Sequence, residues 1–310
     1  MKDEKEISSS DAVYHVPVLL HEVIEHLAIN PSGVYVDCTF GGGGHAAAIL
    51  EKLDNTGKLV AFDQDADAKR NLPDDERLVF VPHNFRHLHR FLRLNGITTV
   101  DGVLADLGVS SHQFDEGSRG FSTRFDAALD MRMNQRQEKT AAEVIKAYSE
   151  QQLHKMFEQW GEVTNAKTLA RTLVEKRRVA PLQTIDDLKT AVSGIVKGNP
   201  AKYFAQVFQA LRIEVNDEMG ALKDLLEQLP QVLKKGGRAA VITFHSIEDR
   251  LVKVYFKNNT FEEEEENPFE TREKIRTLKP VTKKPIEASP EETKRNPRSR
   301  SAKLRVAERT

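Results

Sequence analysis

The sequence reads as a doubly wound α/β domain interrupted by an all-helical insert, and three observations point to it. A β-branched run, Val34–Val36, reaches Asp37 and then breaks into four consecutive glycines, Gly41–Gly44, ahead of an Ala-rich stretch. Apolar runs that end in an acid recur at Lys58–Asp63 and Val100–Asp106. From about Phe114 this alternation gives way to helical periodicity, and it resumes near residue 207. Strands alternating with helical patterns indicate a parallel sheet covered on both faces. The expected organisation is residues 1–113, an inserted helical module over 114–206, and a second part of the sheet domain over 207–310.

Composition narrows the function classes. The chain has 310 residues and a formal net charge of −1, so any polyanion-binding surface must be local. A single cysteine, Cys38, excludes an internal disulfide framework and a thiolate zinc cluster. It falls in the first strand, where a small buried residue is expected. There is no apolar run long enough to cross a membrane, and the opening MKDEKEISSS is a polar tail without a signal-peptide core. A cytoplasmic protein with no membrane partner is expected.

Taken in order, His15–Leu20 (HVPVLL) is an apolar lead-in to a helix with Leu20, Val23, Ile24 and Leu27 on one face. His21 and His26 fall off that face. The glycine loop follows the first strand, where bare backbone and a helix N-terminus can approach a ligand. Asp63, at the tip of the second strand, stands where a ribose diol is gripped in nucleotide-type sites. Gly41, Gly43 and Ala46 satisfy the dinucleotide spacing, so NAD stays open as a cofactor. Asp37 beside the loop favours S-adenosylmethionine instead, because a carboxylate suits an ammonium group and repels a pyrophosphate. The loop also lacks the Lys-Ser/Thr pair of an ATP-binding P-loop.

Leu78–Pro82 reads as the third strand, and Phe85 beyond it is placed to pack against an adenine. His83, His87 and His89 lack carboxylates at matching spacing, so no metal site is expected. Val100–Leu107 is the fourth strand, with Asp106 at its tip, followed by Gly108–Gln113. Ligands of open α/β sheets sit outside the carboxyl ends of the strands, so Asp37, Asp63 and Asp106 should gather at one crevice.

The polar stretch Arg119–Met133 leads into four short helices: Ala141–Tyr148, Glu150–Trp160, Asn165–Arg178 and Thr184–Val196. Lys167, Arg171, Lys176, Arg177 and Arg178 offer either a basic face for a phosphate backbone or an ordinary solvated helix surface. Helices at Val207–Val215 and Met219–Leu233 follow, the second closed by Lys235-Gly236-Gly237. Arg238–Phe244 is a fifth strand with His245 at its tip, and Ile247–Phe256 is the next helix. After an acidic loop, Glu262–Glu266, segments Ile275–Lys284 and Lys303–Ala307 form an expected antiparallel pair. The tail from Lys294 to Arg309 is rich in Lys and Arg, a second candidate contact for phosphates.

With these pieces in order, the chain resembles the bacterial 16S rRNA (cytosine-N4)-methyltransferase family. The resemblance rests on HVPVLL (15–20), DCTFGGGGH (37–45), FDQD (62–65), DLGVSSHQ (106–113), RGFS (119–122), LDMRM (129–133), RIEVNDE (212–218), FHSIEDR (244–250) and NPRSRSAKLRVAER (296–309). It departs from the family at Cys38, where many members have Gly or Ala, at Gly42, often Arg, and at His112, often Pro. The resemblance implies a Rossmann-like S-adenosylmethionine-dependent methyltransferase sheet with an inserted helical domain for substrate recognition. It implies cofactor contacts at Gly43, Gly44, His45, Asp63, Phe85, Asp106 and Gln113, and a cytidine in the decoding region of small-subunit 16S rRNA as substrate. Asp106 and the Gly108–Ser110 backbone are expected to line the methyl-transfer site. His245 is a second candidate for touching the base, and Phe121 with the Arg119–Arg132 loop is expected to hold the base once it leaves its stack. A homodimer stays open, as does a non-catalytic RNA-binding factor that keeps the cofactor as a structural ligand.

Overall fold

The computed structural model describes residues 17–262 and 276–310. The first part of the chain runs α1 (Leu20–Leu27), β1 (Val34–Asp37), α2 (Gly44–Lys52), β2 (Lys58–Phe62), β3 (Leu78–Val81), α3 (Leu88–Leu94), β4 (Val100–Asp106) and α4 (Ser111–Asp115). Next come α5 (Ala141–Ala147), α6 (Glu150–Gly161), α7 (Ala166–Lys176), α8 (Ile185–Val192) and α9 (Pro200–Asn216). The chain ends with α10 (Glu218–Val232), β5 (Leu233–Thr243), α11 (Ser246–Asn258), β6 (Leu278–Pro280), β7 (Ile286–Glu287), α12 (Pro290–Arg295) and β8 (Lys303–Arg309).

The sheet order is β3-β2-β1-β4-β5-β8-β6, with β7 paired to β8. Strands β1 to β5 are mutually parallel, and β8 runs antiparallel to both β5 and β6. The strand order reverses beside β1, between β2 and β4, so a crevice opens at the carboxyl ends of these strands. Successive strand residues face opposite sides. Val36 packs with Phe62, Leu226 and Val252 under α3, α10 and α11, whereas Tyr35 packs with Leu27, Ile49 and Leu59 under α1 and α2. The acidic run 262–266 and the first residue of the expected 275–284 strand lie mostly outside the described residues.

The insert has a core of its own, in which Leu153, Phe157, Leu169, Leu173 and Leu188 are fully buried. Its helices start where polar side chains accept an N–H from the first turn: Thr140 for α5, Ser149 for α6, Thr184 for α8 and Asn199 for α9. One boundary needs correcting. The expected division at 206–207 falls inside α9, whose Val207, Phe208, Leu211 and Val215 belong to the insert core. No glycine follows Pro200 before Asp217, so nothing breaks the helix there. Ile213, on the same helix, packs with the sheet-domain core instead, so α9 serves both.

Lys235-Gly236-Gly237 is the second correction. It lies within β5, not at a helix end, and α10 is closed by Leu233. Val100 pairs with Leu233 but Gly102 with Arg238, so the intervening residues of β5 bulge out of register. A Cβ on Gly237 would stand 2.9 Å from the Lys234 carbonyl and 3.0 Å from that of Asp101, which is why glycine is required.

The first segment of the insert is fastened to the residues that follow β2, and the two ends of the insert to each other. Arg119 is buried, and its Nη1 donates to Asp67 at 3.2 Å and pairs with the Asp65 carboxylate at 2.9 Å. Its Nη2 donates to the carbonyls of Arg132 at 3.1 Å and Met133 at 3.3 Å. Asn216, at the end of α9, accepts the Met133 N–H at 2.7 Å and donates to the Met131 carbonyl at 2.8 Å. Breaking one partner of a buried ion pair leaves an uncompensated charge. Arg119→Ala is expected to lower unfolding free energy in urea titrations by about 3 kcal/mol, and Arg119→Lys to recover only part, since lysine cannot reproduce the planar fork.

Candidate active site

A cleft of about 880 Å³ opens at the carboxyl ends of β1, β2 and β4. Its wall is the glycine loop, held by a Phe40 N–H bond to the Phe62 carbonyl and a Gly43 N–H bond to the Phe40 carbonyl. Gly41 and Gly43 have φ of +51° and +78°, in the left-handed region that favours glycine. Gly41, Gly42, Gly44 and His45 line the cleft, whereas Gly43 does not; a Cβ there would meet the Phe40 ring at 3.0 Å. Gly44 is tightly packed, because a Cβ would come within 2.3 Å of Pro17. At Gly42 a Cβ would meet nothing within 4 Å, so a side chain is tolerated there.

The three strand-tip acids are close neighbours in different settings. Asp63 accepts the N–H groups of Gly41 and Asp65, each at 2.8 Å. Asp37 accepts the Thr39 N–H at 3.0 Å, and its Oδ2 is buried with no hydrogen-bond partner among the described residues. The Asp106 carboxyl accepts no such bond, and its Oδ1 is likewise buried and unpartnered among the described residues. Burial raises all three carboxyls, and backbone N–H donors offset part of that at Asp63 and Asp37. Asp63 is pushed up to about 6, Asp37 to about 7 and Asp106 to about 8, with the charges of Asp37 and Glu248 adding to the rise at Asp106. Asp63 and Asp106 line the cleft; Asp37 lies just behind its wall.

His45 lies 3.7 Å from Asp106 through Nδ1, while Nε2 is 3.0 Å from the Val18 carbonyl. Burial lowers its pKa to about 4, so the ring is neutral and Nε2–H donates to Val18. The Nδ1 lone pair then faces Asp106, which favours the protonated form of that acid. Gln113 closes a capping box with Ser110 and donates to Asp65 at 2.7 Å, so it orders the floor beneath Asp63. That box forms with His112 in place, 3.5 Å from Asp67. Phe85 is half-buried and lines the cleft beside Asn84.

Several expected residues do other work. His245 caps α11 and lies 3.1 Å from Glu248, out of line for a hydrogen bond through Nε2, and its ring does not line the cleft. Phe121 is buried in the insert core, and Arg132 pairs with Asp130 at 2.7 Å, so neither is open to a base. Arg177 donates to the carbonyls of Ile145 and Tyr148, capping α5, and Arg171 pairs with Glu175 at 2.9 Å. Lys167, Lys176 and Arg178 remain exposed.

In place of His245, the cleft is lined by buried Glu248 and by the Arg212–Glu218 pair, which is bidentate at 2.8 and 3.1 Å. Burial drives the Glu248 carboxyl up, but His245, Arg212 and the Phe244 N–H together outweigh it and hold it below its usual range. Their signal in the sequence was membership of RIEVNDE and FHSIEDR, blocks with no spacing rule that assigns a role.

A sequence model described as the MraW methylase family matches residues 12–310. The chain belongs to the MraW methylase family. It is an S-adenosylmethionine-dependent methyltransferase. Ribosomal RNA small subunit methyltransferase H of Cytophaga hutchinsonii is 52% identical over 302 residues, covering 96% of this chain and 100% of that protein. The protein of the same name from Flavobacterium johnsoniae is 52% identical over 297 residues, covering 96% and 98%. An rRNA methylase structure from Streptococcus thermophilus covers 95% of this chain and 98% of its own, at 10% identity and a TM-score of 0.42.

The residues present fit that cofactor. Two buried carboxyl oxygens without partners adjoin a bare-backbone loop, which suits a ligand carrying positive charge. A pyrophosphate would meet the carboxyls of Asp63 and Asp106 on the cleft wall, with Asp37 behind it, and the family is one of methylases, so the nicotinamide reading falls. No helix among the described residues is long and apolar enough to cross a membrane.

These carboxyls also set a pH dependence. Each has a folded-state pKa above its unfolded value of 3.8, so between about pH 4 and pH 8 these three groups hold more protons in the folded protein than in the unfolded chain, while His45, lowered to about 4, offsets one of them below about pH 6.5. The stability of the ligand-free protein is therefore expected to fall as pH rises through that window. Thermal melts across the window should show the fall, and Asp106→Asn should flatten its alkaline part.

Proposed function

We propose that the protein methylates the exocyclic N4 of a cytidine in the decoding region of 16S rRNA within the small ribosomal subunit, in the cytoplasm. Its relatives of about 52% identity bear a small-subunit rRNA methyltransferase name. The observation that carries the chemistry is Asp106, an unpartnered carboxyl with a pKa of about 8 on the wall of the cleft.

When bound, S-adenosylmethionine supplies an electrophilic methyl group on a sulfonium. Asp63 and the Gly41–Gly42 backbone would hold its ribose and amino-acid ends, and Asp37 with Asp106 favours its positive charge. The cytosine amine is a poor nucleophile, because its lone pair is delocalised into the ring. Ionised beside a bound sulfonium, which would favour the carboxylate form, Asp106 accepts an N–H of that amine, which lets the nitrogen pyramidalise, and then takes its proton. A base with a pKa near the working pH combines the right ionisation state with useful driving force. The Gly108–Ser110 backbone, beside Asp106 on the cleft wall, holds the base for in-line attack, and such positioning supplies several kcal/mol of the barrier. A base must leave its stack to enter so enclosed a site.

Among the described residues, Lys167, Lys176 and Arg178 are the exposed cations of the α7 region without an ion pair, open to a phosphate backbone. Charge reversal at Arg177 would confound the test of that face, because Arg177 caps α5.

Incubation with labelled S-adenosylmethionine and small subunits from a strain lacking the enzyme, followed by digestion to nucleosides, should yield N4-methylated cytidine. Label in another nucleoside would refute the assignment. Asp106→Asn is expected to lower turnover about 100-fold or more while keeping the fold. Asp63→Ala should remove cofactor binding in calorimetry, both by losing a ligand and by releasing the Gly41 N–H.

A further inference from the structure

One cluster on the cleft wall is used by none of these steps. Phe114 of α4 lies between two guanidinium groups, Arg124 at 5.1 Å and Arg298 at 5.4 Å from its ring centre. Both arginines donate to the next residue, Asp115, one to each oxygen: Arg124 to Oδ1 at 2.9 Å and Arg298 to Oδ2 at 2.7 Å. Arg124 also lies 5.4 Å from the ring of Phe125, an exposed aromatic. Phe114, Asp115 and Arg298 line the cleft.

The cluster joins distant parts of the chain. Arg298 stands on the turn Pro297–Ser301 that leads into β8, and that turn is anchored by fully buried Ser299, whose Oγ donates to the Asn296 carbonyl. Asp115 ends α4, the helix whose first turn places Gln113 on Asp65 at the cleft floor.

Two cations share one carboxylate, so one positive charge is left uncompensated within the cluster. The side chains of Arg124 and Arg298 are 56% and 36% exposed. Exposed pairs of this kind add little to stability. What the arrangement does provide is two planar forks with donors to spare, oriented by a ring and a carboxylate. Arginine forks match phosphate geometry, and single-stranded RNA is recognised by stacking on aromatic and guanidinium planes.

We propose that Arg124, Arg298, Phe114 and Phe125 form a clasp for the nucleotide that flanks the target in a single-stranded RNA segment. The two arginines take its phosphodiester and Phe125 offers a face for its base. A target base drawn into the cleft leaves its neighbour's phosphate at the mouth, beside the residues that supply this positive charge. The proposal rests on the reading of the protein as an rRNA methyltransferase and names the contacts that hold the strand during transfer.

The test measures binding and methylation of undermodified small subunits by the full-length protein, saturated with S-adenosylmethionine, at several salt concentrations. Arg298→Gln and Arg124→Gln are each expected to weaken subunit binding and raise KM about tenfold, as the loss of a charge-assisted bond does. The salt slope of binding should shrink by about 0.7 per lost charge. Arg298→Lys should restore the slope but not the full affinity, and cofactor affinity by calorimetry should stay within about twofold, well short of the tenfold step that 1.4 kcal/mol represents. Unchanged binding and slope in the double Gln variant would overturn the clasp, as would a parallel loss of cofactor affinity. If the variants weaken subunit binding but the wild type transfers no methyl group to cytidine, the clasp stands and the proposed reaction falls. If the wild type methylates cytidine and the variants bind normally, the reverse holds.

Discussion

Three carboxyl groups crowd the carboxyl ends of β1, β2 and β4, and what water cannot do for them the backbone does unequally. Asp63 receives two N–H bonds, Asp37 one and Asp106 none, and their pKa values rise in that order from about 6 to about 8. The gradient follows from the chain path. The glycine loop turns back over Asp63, Thr39 turns back over Asp37, and β4 ends at Asp106 with its N–H already given to Thr39. A single graded field thus separates an acid that shapes the loop from one that is ready to exchange a proton.

Such an enclosure costs stability, and the surrounding structure is arranged to offset part of that cost. Arg119 pairs with the Asp65–Asp67 edge, while Arg212, paired with Glu218, places a half-buried cation near Glu248. His45 is kept neutral by burial and by its bond to Val18, so it adds no charge beside Asp106. These groups are contributed by the glycine helix, by the junctions on either side of the helical insert and by the start of α11. The insert is therefore mechanically joined to the cleft: the same Arg119 that closes its first segment touches the floor under Asp63. The insert and the cleft are linked through buried polar contacts.

The positive surface is likewise a product of folding. A chain with a net charge of −1 carries no global attraction for RNA, yet Arg298 from the tail and Arg124 from the insert are brought to one ring and one carboxylate beside the cleft. Several other basic residues are spent on structure, as Arg177 on α5 and Arg132 on Asp130 show.

By itself, the sequence determined the parallel sheet, the strand-tip positions of Asp37, Asp63 and Asp106, and the helical insert. Those features are local: a β-branched run ending in an acid, a glycine cluster and 3.6-residue periodicity act within a few residues of themselves. Only the tertiary structure decided where the insert stops, because α9 carries apolar residues for two cores and has no local break at 206. It also decided that Gly236 and Gly237 serve a strand bulge and that His245 caps a helix while Glu248 faces the cleft. The bulge at Gly237 and the placement of Glu248 depend on partners far away in the chain, Asp101 and Arg212, and a partner's distance in space is not written in spacing.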